Sequence, residues 1–303
     1  MNIQDDNGLS ALLRSDETRL CTGFTFTEGP IWVAADNALV FSDIPASRIH
    51  RWRPGQVSAE IYRDPSGWSN GLTLDHAGNL LACEHGGRQV SCSPYSDPAA
   101  KQPLATHWEG KALNSPNDLV VHSSGAIFFT DPSYGVDSGR SPRMGAEGQE
   151  QELDFKGVYR IDPDGSLHVL AREGFRQPNG LAFTPDESQL YIGDSQARLI
   201  WRYDVRAGLT FGERVLFVDQ HEDPRLGSPD GMKVDTEGRL WTTGAGGVSV
   251  HTAAGEYLGV VEGAEHAANL TFGGPDYSTL FLAAGTSVYS VETAVRGIVP
   301  GSR

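Results

Sequence analysis

A lone carboxylate or carboxamide opens the same short strand pattern five times along this chain, at Glu28-Gly-Pro, Asn70-Gly-Leu, Asn117-Asp-Leu, Asn179-Gly-Leu and Asp230-Gly-Met. Ten or eleven positions later an aliphatic residue opens a second strand, at Leu39, Leu80, Ile127, Leu190 and Leu240, after a turn rich in Asp, Gly, Asn and Ser. A sixth copy runs from Ala268-Asn269-Leu270 to Leu280-Phe281-Leu282. Its asparagine stands one place late, so the slot holds Ala268 and the position is expected to be chemically silent. Steps of 42, 47, 62, 51 and 38 residues between successive slots match the spacing of blades in a β-propeller.

A second strand pair follows each hairpin, as at 48–52 and 57–62 around Pro54-Gly55, and further strand patterns lie at 157–161, 199–203, 248–251 and 287–291. Two hairpins make a four-stranded blade. The pattern predicts an all-β, six-bladed β-propeller as one domain over 1–303, with 1–17 as an N-terminal extension. The last repeat runs short, and a strand at 19–26 is expected to pair with it, closing the ring and removing an exposed edge.

Composition narrows the partners. A net charge of −15 argues against nucleic acid and against an anionic membrane, both of which need a basic footprint, and it favours a divalent cation. Cys21, Cys83 and Cys92 are odd in number and lack metal-type spacing, which reads as buried free thiols in a reducing, cytoplasmic setting. No apolar run of signal-peptide length opens the chain, and none approaches the ~18 residues of a membrane span. A monomer or a homodimer is expected.

The residue before the innermost strand of a propeller blade points toward the central channel, so the five polar slots converge. Strand-end residues Asp43, Glu84, His85, Asp131, Tyr134, Asp194 and Ser195 are expected around the same mouth, and the polar, glycine-rich stretch 135–155 is either a lid or a disordered surface insertion. Two carboxylates and several carboxamides are costly to bury unless a cation compensates them. Calcium takes about 6 to 8 oxygen ligands and suits this set; the slots contain no Cys or His, which makes zinc a poorer match.

An isolated Asn-Gly is a turn signal, but its recurrence with Glu and Asp in one slot points to a shared site. Gly67-Trp-Ser-Asn-Gly71 fits the G-x-S-x-G nucleophile elbow literally, yet a strand pattern follows it where a helix is required. Glu84-His85 is either an acid/base pair or a polar strand end. Trp68 and Tyr134 either line the pocket or pack between blades.

Thr27-Glu-Gly-Pro-Ile-Trp32, Asn114-Ser-Pro-Asn-Asp-Leu-Val120, Phe129-Thr-Asp-Pro-Ser-Tyr-Gly135, Gln177-Pro-Asn-Gly-Leu-Ala182, Gly193-Asp-Ser195 and Ser228-Pro-Asp-Gly-Met-Lys233 resemble the SMP-30/gluconolactonase family, most closely its bacterial gluconolactonase-like members. The resemblance implies Glu28, Asn179 and Asp230 as metal ligands, with Asn117 beside the metal as a ligand or substrate contact. It also implies Asp230 as general base, and Asp194 and His85 are alternative bases. Asn70, Asn117, Asp131, Tyr134 and His85 are expected to contact substrate. Animal regucalcin-like members place an arginine two residues before the Asn117 position, where this chain has Ser115.

The implied activity is metal-dependent hydrolysis of a sugar lactone such as glucono-1,5-lactone. Ca2+ is the expected metal, and Zn2+, Mg2+ and Mn2+ are kept open. The alternatives are a phosphotriester or other ester hydrolase at the same metal, and a non-enzymatic binding propeller with structural calcium.

Overall fold

The computed structural model describes residues 1–137, 144–145 and 148–300. Six antiparallel sheets form the blades of a propeller. Blade 1 runs from the axis outward through Thr27–Val33, Ala38–Asp43, Arg48–Trp52 and Glu60–Arg63; blade 2 through Ser69–Leu74, Leu80–Glu84, Gln89–Ser93 and Gln102–Ala105. Blade 3 is Leu119–Val121, Ile127–Asp131, Gly157–Ile161 and Leu167–Ala171, and blade 4 is Pro178–Phe183, Gln189–Asp194, Leu199–Arg206 and Thr210–Asp219. Blade 5 holds Met232–Val234, Leu240–Gly244, Gly247–His251 and Tyr257–Glu262. Blade 6 holds Ala267–Gly273, Thr279–Ala284 and Ser287–Glu292, and its fourth strand is Thr18–Thr22 from the other end of the chain. The inner strands touch in cyclic order, so the ring is closed.

Closure follows the expected route with shorter bounds: Arg19 pairs with Tyr289 and Cys21 with Val288, and the strand ends at Thr22, where Gly23 turns the chain at φ +103°. Likewise the outer strand of blade 1 begins at Glu60, because the turn after Pro54-Gly55 carries an exposed Val57 around to it. The N-terminal extension adds a strand, Asn2–Gln4, to the outer edge of blade 5, with Ile3 opposite Val261. That covers an edge which would otherwise offer unpaired backbone groups.

Apolar side chains alternate along the strands and fill the space between neighbouring blades. Trp32 of blade 1 stacks on Phe281 of blade 6 with ring centroids 5.3 Å apart, and Phe128 of blade 3 meets Phe183 of blade 4 edge-on at 5.1 Å. Each such buried side chain contributes about 1.5–3 kcal/mol. Cys21 and Cys83 are buried, Cys92 is half-buried, and all three are free thiols. No helix among the described residues is long and apolar enough to cross a membrane.

The residue after each slot decides how closely blades approach the axis. A Cβ on Gly29 would lie 2.0 Å from the Asn70 carbonyl oxygen, and one on Gly180 would lie 2.0 Å from that of Asp230. Both obstacles are backbone, so neither yields. The repeated Asn-Gly and Glu-Gly pairs are therefore contact points between inner strands rather than hairpin turns. Gly180→Ala should cost about 3 kcal/mol, read as a lower urea midpoint at unchanged slope; a parental midpoint would show that the ring relaxes freely there.

Candidate functional site

In four blades the pairing register slips at the slot, between Glu28 and Ile31, Ser69 and Leu72, Pro178 and Leu181, and Ala267 and Asn269. In the other two the inner strand starts only after the slot, at Leu119 and Met232. A bulge re-aims the side chain it carries, and here the result is convergence. Glu28, Asn70, Asn117, Asn179, Asp230 and Ala268 all line one cavity of about 640 Å³ at the mouth of the channel. The opposite end is a separate pocket of about 100 Å³ among Ile31, Val120, Ala182 and Lys233, bordered by Ile298 and Pro300.

Each asparagine has its amide nitrogen held from outside the ring. Asn179 Nδ2 donates to Ser195 Oγ at 2.9 Å, and that hydroxyl donates to the Pro229 carbonyl at 2.5 Å. Asn70 and Asn117 place Nδ2 at 3.3 and 3.5 Å from His85 Nε2. His85 Nδ1 lies 2.8 Å from the Met144 carbonyl, which accepts only, so the proton is on Nδ1 and Nε2 accepts from the two amides. Burial pushes the His85 pKa down to about 4, keeping this tautomer neutral. With the nitrogens engaged, all three carboxamide oxygens are left for the axis.

The strand-end acids do other work. Asp43 accepts from the amides of Thr25 and Phe26, Asp131 from those of Asn114 and Ser115, and Asp194 from those of Arg176 and Gln177, at 2.7–3.1 Å. In every case these are the residues three and two places before the slot of the same blade. Asp194 takes a further bond from the Ala197 amide at 3.1 Å. These acids clamp the loop that delivers the slot residue; they are buried behind the mouth, and neither Asp194 nor Asp131 lines the cavity. Burial pushes Asp131 up to about 7 despite its two amide bonds.

His85, also fully buried, reaches the cavity through the asparagines it orients rather than directly. Tyr134 does line it. Glu84 is separate from His85, bound to Ser91 Oγ at 2.6 Å and Lys101 Nζ at 2.8 Å, so the two do not form an acid/base pair. Ser69, in the inner strand of blade 2 and bonded to Ser42 at 2.9 Å, is no nucleophile elbow.

The sixth slot brings only the methyl group of Ala268 to the cavity, but the position after it is engaged. Asn269, one place after Ala268, donates to Glu28 Oε2 at 2.9 Å. Asp118, one place after Asn117, is buried near it, and burial raises its pKa. Burial also pushes Glu28 up to about 7, with the charge of Asp118 adding to the rise and Lys233 opposing it. Carboxylates held this far from water need positive charge nearby. Among the described residues no three His, Cys, Asp or Glu side chains gather as a metal cluster. The donor set is instead two carboxylates, Glu28 and Asp230, with three carboxamide oxygens, which fits a hard, oxygen-seeking dication and not a thiolate- or imidazole-bound one.

Lys156, Gln177, Gln196, Arg198, Ser228 and His266 also line the cavity and were not expected there; Gln177, Ser228 and His266 each stand two places before a slot, whereas Lys156, Gln196 and Arg198 come from loops with no fixed spacing to it. Ser115, where an arginine stands in some relatives of the resembled family, is buried; its hydroxyl donates to the Pro132 carbonyl at 2.6 Å and accepts from the Gly135 amide at 3.0 Å. It thereby ties down the start of the 135–155 stretch. That stretch is also tied at Gln149, whose amide donates to the Gly86 carbonyl at 2.9 Å, and at Glu152, 3.0 Å from Arg88. Residues 138–143 and 146–147, the middle of the candidate lid, lie outside the described residues.

Fold and site together define a six-bladed propeller with an oxygen-lined axial pocket open at one face. The chain belongs to the family described as SMP-30/Gluconolactonase/LRE-like region, whose model matches residues 26–286. It is 33% identical to a gluconolactonase of Zymomonas mobilis over 92% of this chain and 81% of that one, and 29% identical to the pentonolactonase XacC of Haloferax volcanii over 84% and 80%. A solved gluconolactonase of Xanthomonas campestris superposes with a TM-score of 0.85 at 35% identity, covering 94% of this chain and 92% of that one.

Proposed function

We propose that this protein hydrolyses a sugar lactone, an aldonolactone such as glucono-1,5-lactone, using a divalent cation, calcium by its donor set, held on the axis by Glu28, Asn179 and Asp230 beside Asn117. The observation that carries the reading is the convergence of the slots: oxygen donors from five separate blades meet in a single open cavity. The gluconolactonase and pentonolactonase relatives support the substrate class. A bound dication supplies Lewis-acid polarisation of the lactone carbonyl and stabilises the charge that develops on its oxygen.

The chain's own groups divide the remaining work. Asp230, half-buried in the cavity wall, takes the proton of the attacking water and returns it to the leaving ring oxygen. Asp194, bound by three backbone amides, and His85, its ring nitrogens both engaged, hold loops and asparagines in place. Asn70, Asn117 and Tyr134 border the space a sugar ring would fill, and Lys156 and Arg198 offer donors to its hydroxyls.

A panel of aldonolactones followed with a pH indicator, with calcium and with chelator, tests this. Hydrolysis above the buffer rate that disappears with chelator and returns with calcium is expected. No acceleration of any lactone with calcium, magnesium, manganese or zinc would leave a binding propeller, and acceleration confined to phosphotriesters would replace the substrate class.

A further inference from the structure

The position following each slot forms a second ring just below the first. Four of its members are glycines, Gly29, Gly71, Gly180 and Gly231; the other two are Asp118 and Asn269. A Cβ on Gly71 would come within 2.5 Å of Asp118 Oδ1, and one on Gly231 within 2.1 Å of Asn269 Oδ1. The two side chains thus occupy axial space that their glycine neighbours leave empty. They come from blades 3 and 6, which lie three blades apart in the ring of six and so face each other across the channel.

The orientation of Asn269 is unambiguous. Its Oδ1 accepts from the Leu270 amide at 2.8 Å, and its Nδ2 donates to Glu28 Oε2 at 2.9 Å; neither bond survives an exchange of the two atoms. Glu28 Oε2 takes a second bond from the Gly29 amide at 2.7 Å. Two donors on one oxygen fix the carboxylate plane and leave Oε1 as the unengaged atom of a residue that lines the cavity. Asp118 repeats the local arrangement, its Oδ1 accepting from the Leu119 amide at 2.9 Å, and its Oδ2 is buried with no hydrogen-bond partner. Lys233, whose Nζ donates to the Met232 carbonyl at 3.0 Å, is the cation that acts on both Glu28 and Asp118.

Building on the axial cation proposed above, we infer that Asn269 is a positioning residue for that cation: it holds Glu28 Oε2 so that Oε1 is presented to the site. Outer partners of this kind are worth about 10- to 100-fold in metal affinity. Asn269→Leu retains the volume and removes the donor.

The test is a calorimetric calcium titration of the chelator-stripped full chain. Asn269→Leu should bind calcium about 10- to 100-fold more weakly than the parent. A purely space-filling role would leave the affinity at the parental value whatever happens to Tm, and that result would overturn the inference. Should Asn269→Leu fail to fold, Asn269→Ser, which is smaller and too short to reach Glu28, should show the same loss; parental affinity in that variant overturns the inference equally. Glu28→Gln separates the two levels of the argument. If it loses calcium while the Asn269 variants do not, Asn269 alone has been misread; if it too binds calcium like the parent, the axial cation itself is wrong.

Discussion

Asp230→Asn should lower lactone turnover about 10²-fold or more at saturating calcium. The substitution conserves shape and removes basicity, so the comparison isolates proton transfer provided that kcat is measured where calcium is bound. Asp194→Asn should behave differently. Its carboxylate accepts from Arg176, Gln177 and Ala197 amides, and a carboxamide would turn an NH2 group toward at least one of those donors. That costs about 1–3 kcal/mol of stability and should leave the chemical step of the folded protein within a few-fold of the parent. The measurement is kcat alongside the urea midpoint for both variants. If turnover survives Asp230→Asn and collapses in Asp194→Asn with the midpoint unchanged, the base has been assigned to the wrong carboxylate.

The propeller was legible in the sequence because a blade imposes a period of about 40 to 60 residues and a period of two within each strand, and both survive in a single chain. The slot residues were legible for the same reason: Glu28, Asn70, Asn117, Asn179 and Asp230 occupy one phase of that period. What surrounds them follows other rules. Asp43, Asp131 and Asp194 sit at the correct end of their strands for the mouth, and the amides they accept from recur three and two places before each slot; a strand-end acid can face either the channel or those amides, and its own position in the strand is the same in both cases.

Asn269 was misjudged by one position. Read against the slot it is late; read against the second ring, where its counterparts are glycines and Asp118, it is in phase. A glycine after each slot was a signal that something needed the space, and that signal was available in the sequence. Lys156 and Arg198 had no comparable marker, since they reach the cavity from loops whose lengths vary from blade to blade.

Removing the cation should produce the other large effect, visible without any substrate. A ligand that binds only the folded state at 100 times its Kd adds about 2.7 kcal/mol, so calcium should raise the Tm of the chelator-stripped protein by several degrees. Glu28→Ala should abolish most of that gain and, with it, lactone hydrolysis. The cation-free proteins should not fall in the same order. Burial penalises the charge of Glu28, and Asp118 adds to that penalty, so the cation-free parent carries an acid its surroundings disfavour. Deleting it relieves the repulsion while leaving Asn269 Nδ2 and the Gly29 amide without their acceptor, and with these effects opposed the cation-free Glu28→Ala protein should unfold near the parental temperature. The expected pattern is therefore two similar Tm values with chelator and a gap that opens only when calcium is added. A Glu28→Ala protein that gains as much from calcium as the parent would place the ion elsewhere on the chain, and one that melts far below the parent even with chelator would make Glu28 a structural acid instead of a ligand.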